Sequence, residues 1–187
     1  MLAAVREGDV KKLAELMRQD PGFNVNKRDG YRRTLLHFAC YEESSSAVIP
    51  LLLAHPDIDV NAKNIYGGTP FYHACRNGSP PSCVRELLKD SRVKVNEPDK
   101  DRWTPLYHAA HNGSLDIIKW WIASGREMDL GAPGDVDKTD AFGGAKKRGK
   151  TEVVTLLERF KSDAAKTRSE VRKELGITGQ YPSFFLH

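Results

Sequence analysis

Long apolar runs are missing from this chain of 187 residues. The longest stretches, such as 48–54 with Pro50 inside it, are far shorter than the roughly 20 residues that span a bilayer core. The first residues give way at once to Arg6 and Glu7, which leaves no apolar segment for a secretory leader. The sequence therefore predicts no membrane span and an intracellular protein, cytoplasmic with the nucleus also open.

Cysteine is scarce, and the 3 thiols, of Cys40, Cys75 and Cys83, are an odd number. Without a secretory context this set predicts reduced, packed thiols and no disulfide framework. The sequence motifs of metalloproteases, serine hydrolases, redox dithiols and dinucleotide-binding folds are absent. No nucleophile with a matching base is recognisable, so the sequence predicts no enzyme, no cofactor and no metal site.

The composition is that of a folded chain. Apolar residues make up 40% of the sequence and the net charge is only +4. A disordered chain would be poorer in apolar residues and would carry a larger net charge, so disorder of the whole chain is excluded.

The sequence repeats with a period of 35 residues. A threonine opens a similar segment in each period, at Thr34, Thr69 and Thr104. Eight residues before each threonine stands an asparagine, at Asn26, Asn61 and Asn96. Because several kinds of position keep the same register, the chain is predicted to consist of stacked copies of one small unit.

The third copy shows the local signals of this unit. Thr104 followed by Pro105 predicts the start of a first helix, and Gly113 predicts its end. A second apolar periodicity leads to Gly125, which predicts a second helix, whereas 95–103 is polar and rich in turn residues, like a hairpin loop. Such a unit cannot bury its apolar faces alone, so the copies must stack into a solenoid.

These features closely resemble the ankyrin repeat family over about residues 1–160. The resemblance lies in the threonine-proline helix starts, the Asn112-Gly113 turn, the aliphatic pair Leu87-Leu88 and the segment 59–61. It implies an all-α ankyrin-repeat solenoid of helix-turn-helix units with projecting β-hairpin loops. It also implies a non-enzymatic module for protein–protein interaction. Separately, a mostly apolar stripe at helical spacing from Val153 to Leu175 predicts a C-terminal helix that caps the open end.

The family histidine that ties adjacent hairpins by hydrogen bonds is kept only at His37, and Tyr72 and Tyr107 replace it. The resemblance therefore predicts this tie for His37 alone. Two other histidines, His73 and His108, lie one period apart and are interpreted as stacked surface residues, not as metal ligands.

Domain boundaries follow from the register. They are an N-terminal cap at 1–25, full repeats at about 26–60, 61–95 and 96–130, a degenerate repeat at 131–160, and a C-terminal helix with an apolar tail at 161–187. In the degenerate repeat, Gly143 and Gly144 predict a weak first helix. The tail either folds back on the last repeat or binds another chain.

The family resemblance places the partner-binding site on the concave side, which hairpin tips and first helices form. The tip positions are Arg28, Tyr31, Arg33, Lys63, Ile65, Tyr66, Lys100, Asp101 and Trp103, and the first-helix positions are Tyr41, Arg76 and His111. The predicted partner is a protein of unknown identity, bound by a monomer. Tyr31, Tyr66 and Trp103 are the strongest candidates because aromatic side chains dominate interface energies. Of the pair Trp120 and Trp121, at least one is expected in the core.

Two alternative functions remain open. Residues 144–151 match the phosphate-binding pattern G-x-x-x-x-G-K-[ST], with Lys150 as the phosphate ligand, but no apolar strand precedes them. Residues 146–174 carry ten basic residues against five acidic ones, a net charge of +5, as a nucleic-acid-binding helix would. Interspersed acids make a solvated helix face the better interpretation.

Overall fold

The computed structural model describes residues 1–40, 44–130 and 140–177. Within these ranges the chain is helical and contains no strand. Eleven α-helices follow one another as α1 (Leu2–Glu7), α2 (Val10–Gln19), α3 (Leu35–Ala39), α4 (Ile49–Leu53), α5 (Pro70–Arg76), α6 (Pro81–Lys89), α7 (Pro105–Asn112), α8 (Leu115–Ser124), α9 (Ala141–Lys147), α10 (Thr151–Ser162) and α11 (Ala164–Glu174). A 3-10 turn at Ser44–Val48 precedes α4.

The helices stack in two layers. The first helices of the successive pairs, α1, α3, α5, α7 and α9, pack in order on one another. The second helices pack in the same order, with the 3-10 turn and α4 in the second place. This arrangement confirms the predicted all-α solenoid.

Capping residues set the start of the first helices. The side chains of Thr69 and Thr104 accept hydrogen bonds from the backbone amides of Tyr72 and Tyr107, at 3.1 and 3.2 Å. A proline follows each threonine at the first helical position, where its missing N–H costs nothing. Gly113 ends α7 with a φ of 77°, a left-handed conformation that glycine adopts without strain.

One continuous core runs between the two layers. Trp121 of α8 is fully buried and packs edge-on against Phe71 of α5, with ring centroids 5.0 Å apart. Its neighbour Trp120 is only partly buried, under the guanidinium of Arg85. The expectation that one of the two tryptophans lies in the core is confirmed.

The three cysteines are buried and not joined by a disulfide, as predicted. Burial raises the pKa of the Cys40 thiol well above its usual value, and that of Cys75 in the same direction. These thiols stay protonated and behave as small apolar side chains.

An asparagine joins each repeat to the next one. The Asn26 side chain accepts a hydrogen bond from Asp59 N at 2.8 Å and donates one to Asp57 O at 2.6 Å. Asn61 makes the same pair of bonds to Lys94 N and Arg92 O, and Asn96 makes it to the backbone at 127 and 129. The period of asparagines in the sequence therefore corresponds to a row of backbone links.

The last helix covers the end of the second layer. Helix α11 packs on α8 and α10, with Val171 and Thr167 buried. Arg168 and Arg172 donate hydrogen bonds to the carbonyls of Ile122 and Ala123 at the end of α8, at 3.2 and 2.8 Å. The predicted C-terminal capping helix is confirmed, and two of its arginines are used for capping.

Helix α9 forms in spite of its two glycines. A Cβ atom on Gly144 would lie 2.8 Å from Cε2 of Tyr107, closer than side chains normally approach. Tyr107 itself is held between the rings of Trp103 and His111. Gly144 is therefore the residue that allows α9 to approach α7.

Replacing Gly144 by alanine is expected to destabilise the fold. Overpacking against Tyr107 costs about 1–3 kcal/mol, more than the gain of about 1 kcal/mol in helix propensity. Urea unfolding of the variant would measure the difference. Unfolding at a higher urea concentration than the wild type would show that the ring of Tyr107 can move away.

Candidate functional site

Three hairpin tips form a row that is held by backbone hydrogen bonds. The amide of Ile65 donates to Tyr31 O, and the amide of Lys100 donates to Tyr66 O, each at 3.0 Å. The row fixes the tips relative to one another. Tyr31 and Tyr66 are the two large aromatic side chains that stand out from it, each 54% exposed. We call the surface made by the tips at 28–33, 63–67 and 100–103 and by the C-terminal ends of the first helices the tip face.

Several predicted tip residues also hold the hairpins together. Arg33 forms an ion pair with Asp29 at 2.7 Å, and its guanidinium lies over the rings of Tyr31 and Phe38. Burial raises the pKa of Asp29, but the hydrogen bonds from Arg33 outweigh it and hold the pKa below its usual value.

Two further tip residues pair with the next hairpin. Lys63 pairs with Glu97 at 2.7 Å, and Arg28 lies 3.9 Å from Asp59. Part of the predicted site therefore has a structural role in addition to any role in binding.

Two tip residues were missed by the sequence analysis. Arg32 and Arg102 are exposed and have positive φ angles of 59° and 66°. They occupy the register position of Gly67, whose φ is 84°. The period of 35 residues together with that glycine was the signal that could have identified them.

An aromatic stack leads from the third tip along α7. The ring of Trp103 stacks on Tyr107 at 4.1 Å between centroids, and Tyr107 stacks on His111 at 5.6 Å. Trp103 is half-buried by this contact. The structure thus brings together two predicted site residues, Trp103 and His111, through a third ring.

His111 also lines a cleft of about 480 Å³ at the C-terminal end of the solenoid. The other lining residues are Asn112, Lys147, Arg148 and Lys150. The sequence analysis noted these basic residues but missed their position beside α7. The sequence around them does not indicate that they lie next to His111. Arg76 stands on the neighbouring first helix, where its carbonyl accepts a hydrogen bond from Asn112 at 2.6 Å.

A polar column lies beneath the tips. His37 accepts a hydrogen bond from Thr34 N at 3.1 Å on Nδ1, and its Nε2 lies 3.2 Å from Gly68 O. The predicted tie is confirmed for His37. A second tie, not predicted, comes from Tyr72, whose hydroxyl donates to Asp99 of the next hairpin at 2.6 Å and lies 2.8 Å from His108 Nε2.

The interpretation of His73 and His108 as surface residues is wrong. His73 is 6% exposed and lies 2.6 Å from the Asn64 amide, and His108 is half-buried under Tyr72. Burial lowers the pKa of His37, His73 and His108 to about 4 in each case. The histidines stack as expected, but as uncharged members of the interior.

The segment that matches the phosphate-binding pattern is not a loop. Its residues 144–147 belong to α9, and the next three amides, of Arg148, Gly149 and Lys150, donate to carbonyls of α9. A phosphate-binding loop needs free amides that curl around the anion. This arrangement does not supply them.

Some predicted features lie outside the described residues, namely Tyr41, the start of the degenerate repeat at 131–139, and the tail from 178 onward. Of the remaining predicted residues, Ile65 is half-buried, and Lys100 and Asp101 are exposed at the third tip. Across the described ranges, no helix is long and apolar enough to cross a membrane. No group of three metal-ligating side chains lies together in the same residues.

Comparison with known proteins agrees with this architecture. No curated protein matches the chain. A family model of ankyrin repeats, however, matches it in 3 copies, over residues 1–99, 36–132 and 71–169. Together with the stacked helix pairs and the hairpin row, these matches show that the chain belongs to the ankyrin repeat family.

Proposed function

We propose that this chain is a non-enzymatic protein-binding module whose partner docks on the tip face. Ankyrin repeats generally serve as protein–protein interaction modules. The observation that carries the proposal is the row of fixed tips, which presents Tyr31 and Tyr66 largely exposed and Trp103 half-buried at its end. Aromatic side chains of this kind supply most of the binding energy when a partner buries them.

The tip face is preorganised. Each tip is bonded to its neighbour through the backbone, and the asparagine row fixes the loops behind it. Association then has few extra groups to order, which lowers its entropic cost.

We further propose the domain boundaries of the sequence analysis, with the repeats over 1–160 and the C-terminal helix and tail over 161–187.

Replacing Trp103 by alanine is expected to weaken binding of the partner by at least about 1 kcal/mol, roughly fivefold in affinity. The partner would first be captured from a lysate of the source cells and identified, and its affinity for both proteins would then be measured by calorimetry. Circular dichroism would verify that the variant folds. Lys161→Ala, on the exposed side of α10, is the control. An unchanged affinity would remove Trp103 from the site.

A further inference from the structure

We infer that the partner segment is acidic, and that its carboxylates dock in the basic cleft made by His111, Asn112, Lys147, Arg148 and Lys150. The inference rests on the proposed function, because it names the chemistry of the partner that the tip face would bind. Among the residues that the structure describes, every one that lines the cleft is basic or carries an amide, and none is acidic.

Two of the cationic side chains of the cleft, those of Arg148 and Lys150, lie near each other with no acidic side chain among the described residues that line it. In the described part of the chain, neither Arg148 nor Lys150 has a carboxylate within ion-pair distance, and neither has Lys146 beside them. Like charges at such separations repel one another, and a bound anion relieves the repulsion. Some other basic residues of the solenoid, by contrast, are paired with carboxylates, as Arg33, Lys63 and Arg92 are.

The cations are also held in place. Lys150 N donates to Ala145 O at 3.0 Å, which fixes the turn between α9 and α10. The Lys150 side chain lies along Gly113, where an added Cβ would be 2.7 Å from its Cδ. The glycine at the end of α7 therefore leaves the space that the lysine stem occupies. A fixed turn presents its charges to an anion at a lower entropic cost than a free chain would.

The cleft continues the tip face. His111 belongs both to the cleft and to the aromatic stack that begins at Trp103, so a segment lying on the third tip leads directly into the cleft. The tips expose the basic side chains of Arg32 and Lys100, of the same sign of charge as the cleft, next to one acidic side chain, that of Asp101. Charge complementarity along this path fits a segment rich in aspartate and glutamate.

A protein segment fits better than a nucleic acid. A nucleic-acid site needs a run of cations along an extended phosphate backbone. The longest basic stretch, α10 with α11, does not provide one. Arg168 and Arg172 cap α8, and Arg159 pairs with Glu170. Arg148 and Lys150 instead lie together in one compact cleft that includes the ring of His111.

Titration of a fluorescein-labelled oligo-glutamate peptide, followed by fluorescence anisotropy, tests the inference. Arg148→Gln/Lys150→Gln is expected to lower the affinity about tenfold, since truncating charges that contact an anion raises the dissociation rate. The matched control is Lys161→Gln/Lys166→Gln, which removes the same charge from exposed positions of α10 and α11 and should change the affinity less than about twofold. An oligo-glutamine peptide should not bind.

Three outcomes would overturn the acidic partner. Equal losses in both double variants would show only a general effect of net charge. Tighter binding of a duplex DNA through the same two residues, with a steep dependence on salt, would identify a nucleic-acid site instead.

The inference and the proposed function can fail separately. If oligo-glutamate fails to bind while Trp103→Ala still weakens binding of the captured partner, the acidic segment is wrong and the proposed function stands. If Trp103→Ala leaves the affinity for the captured partner unchanged but the cleft binds oligo-glutamate, Trp103 lies outside the site and the acidic partner segment stands.

Discussion

Acidification is expected to destabilise this fold strongly. His37, His73 and His108 lie in the polar column under the hairpin tips, and burial lowers the pKa of each to about 4. In the unfolded chain a histidine has a pKa of about 6.5, so between these values the unfolded state binds more protons than the folded state. Stability is therefore fully present above about pH 6.5 and is lost as the pH falls toward 4.

The expected loss follows from the same shifts. At about pH 4.5 each histidine costs on the order of 2.5 kcal/mol, so the three together cost roughly 7 kcal/mol, comparable to the whole stability of a small domain. The neighbouring charges work in both directions. Arg33 and Arg76 lower the histidine pKa values further, whereas Asp99 raises that of His108.

Urea unfolding at about pH 7 and about pH 4.5 measures this loss directly. His108→Gln should reduce the difference between the two conditions by about a third, because one of three proton acceptors has been removed. Lys161→Gln, an exposed substitution on α10, serves as the control and should retain the full difference. Equal unfolding free energies of the wild-type protein at both pH values would contradict the assignment of a neutral column.

Removing the side chain of Trp121 is the second change with a large expected effect. The side chain is fully buried, contacts Phe71, and donates a hydrogen bond from its indole nitrogen to Glu127 O at 3.2 Å. Trp121→Ala should lower the free energy of unfolding by about 3–5 kcal/mol, through lost burial and the cavity that remains.

The adjacent tryptophan is a matched control for this prediction. Trp120→Ala removes the same number of atoms one position earlier, from a side chain that is only partly buried against Arg85. Its cost should stay near about 1 kcal/mol, the range of a partly exposed aromatic contact. Calorimetric or urea unfolding of the two variants side by side would compare them. Equal losses of unfolding free energy in the two variants would mean that α8 does not bury Trp121 more deeply than Trp120.

The period of 35 residues was enough to predict the fold. The threonines at 34, 69 and 104 predict the starts of three first helices, and the asparagines at 26, 61 and 96 mark the same point in each repeat. These positions are informative because each makes a local contact or a contact to the same place in the next copy. A signal that repeats in the sequence reports a contact that repeats in space.

Contacts that occur only once were not predictable. Between two hairpins, a hydrogen bond from the Tyr72 hydroxyl to the Asp99 carboxylate stands where the family has a histidine. Gly144 leaves room for the ring of Tyr107, which belongs to another repeat. The basic cleft combines the end of α7 with the turn after α9, which the chain separates by more than one period. For the site, the sequence predicted the exposed Tyr31 and Tyr66, but it missed the burial of His73 and the grouping of charges around His111.

The asparagine row also bears on how the chain folds. Its hydrogen bonds join residues 31 or 33 positions apart, and each bond reaches only to the adjacent copy. Closing such a loop costs the same modest entropy at every step, wherever along the chain the process starts. Any two neighbouring copies can act as the folding nucleus, and folding then propagates to the remaining copies in either direction.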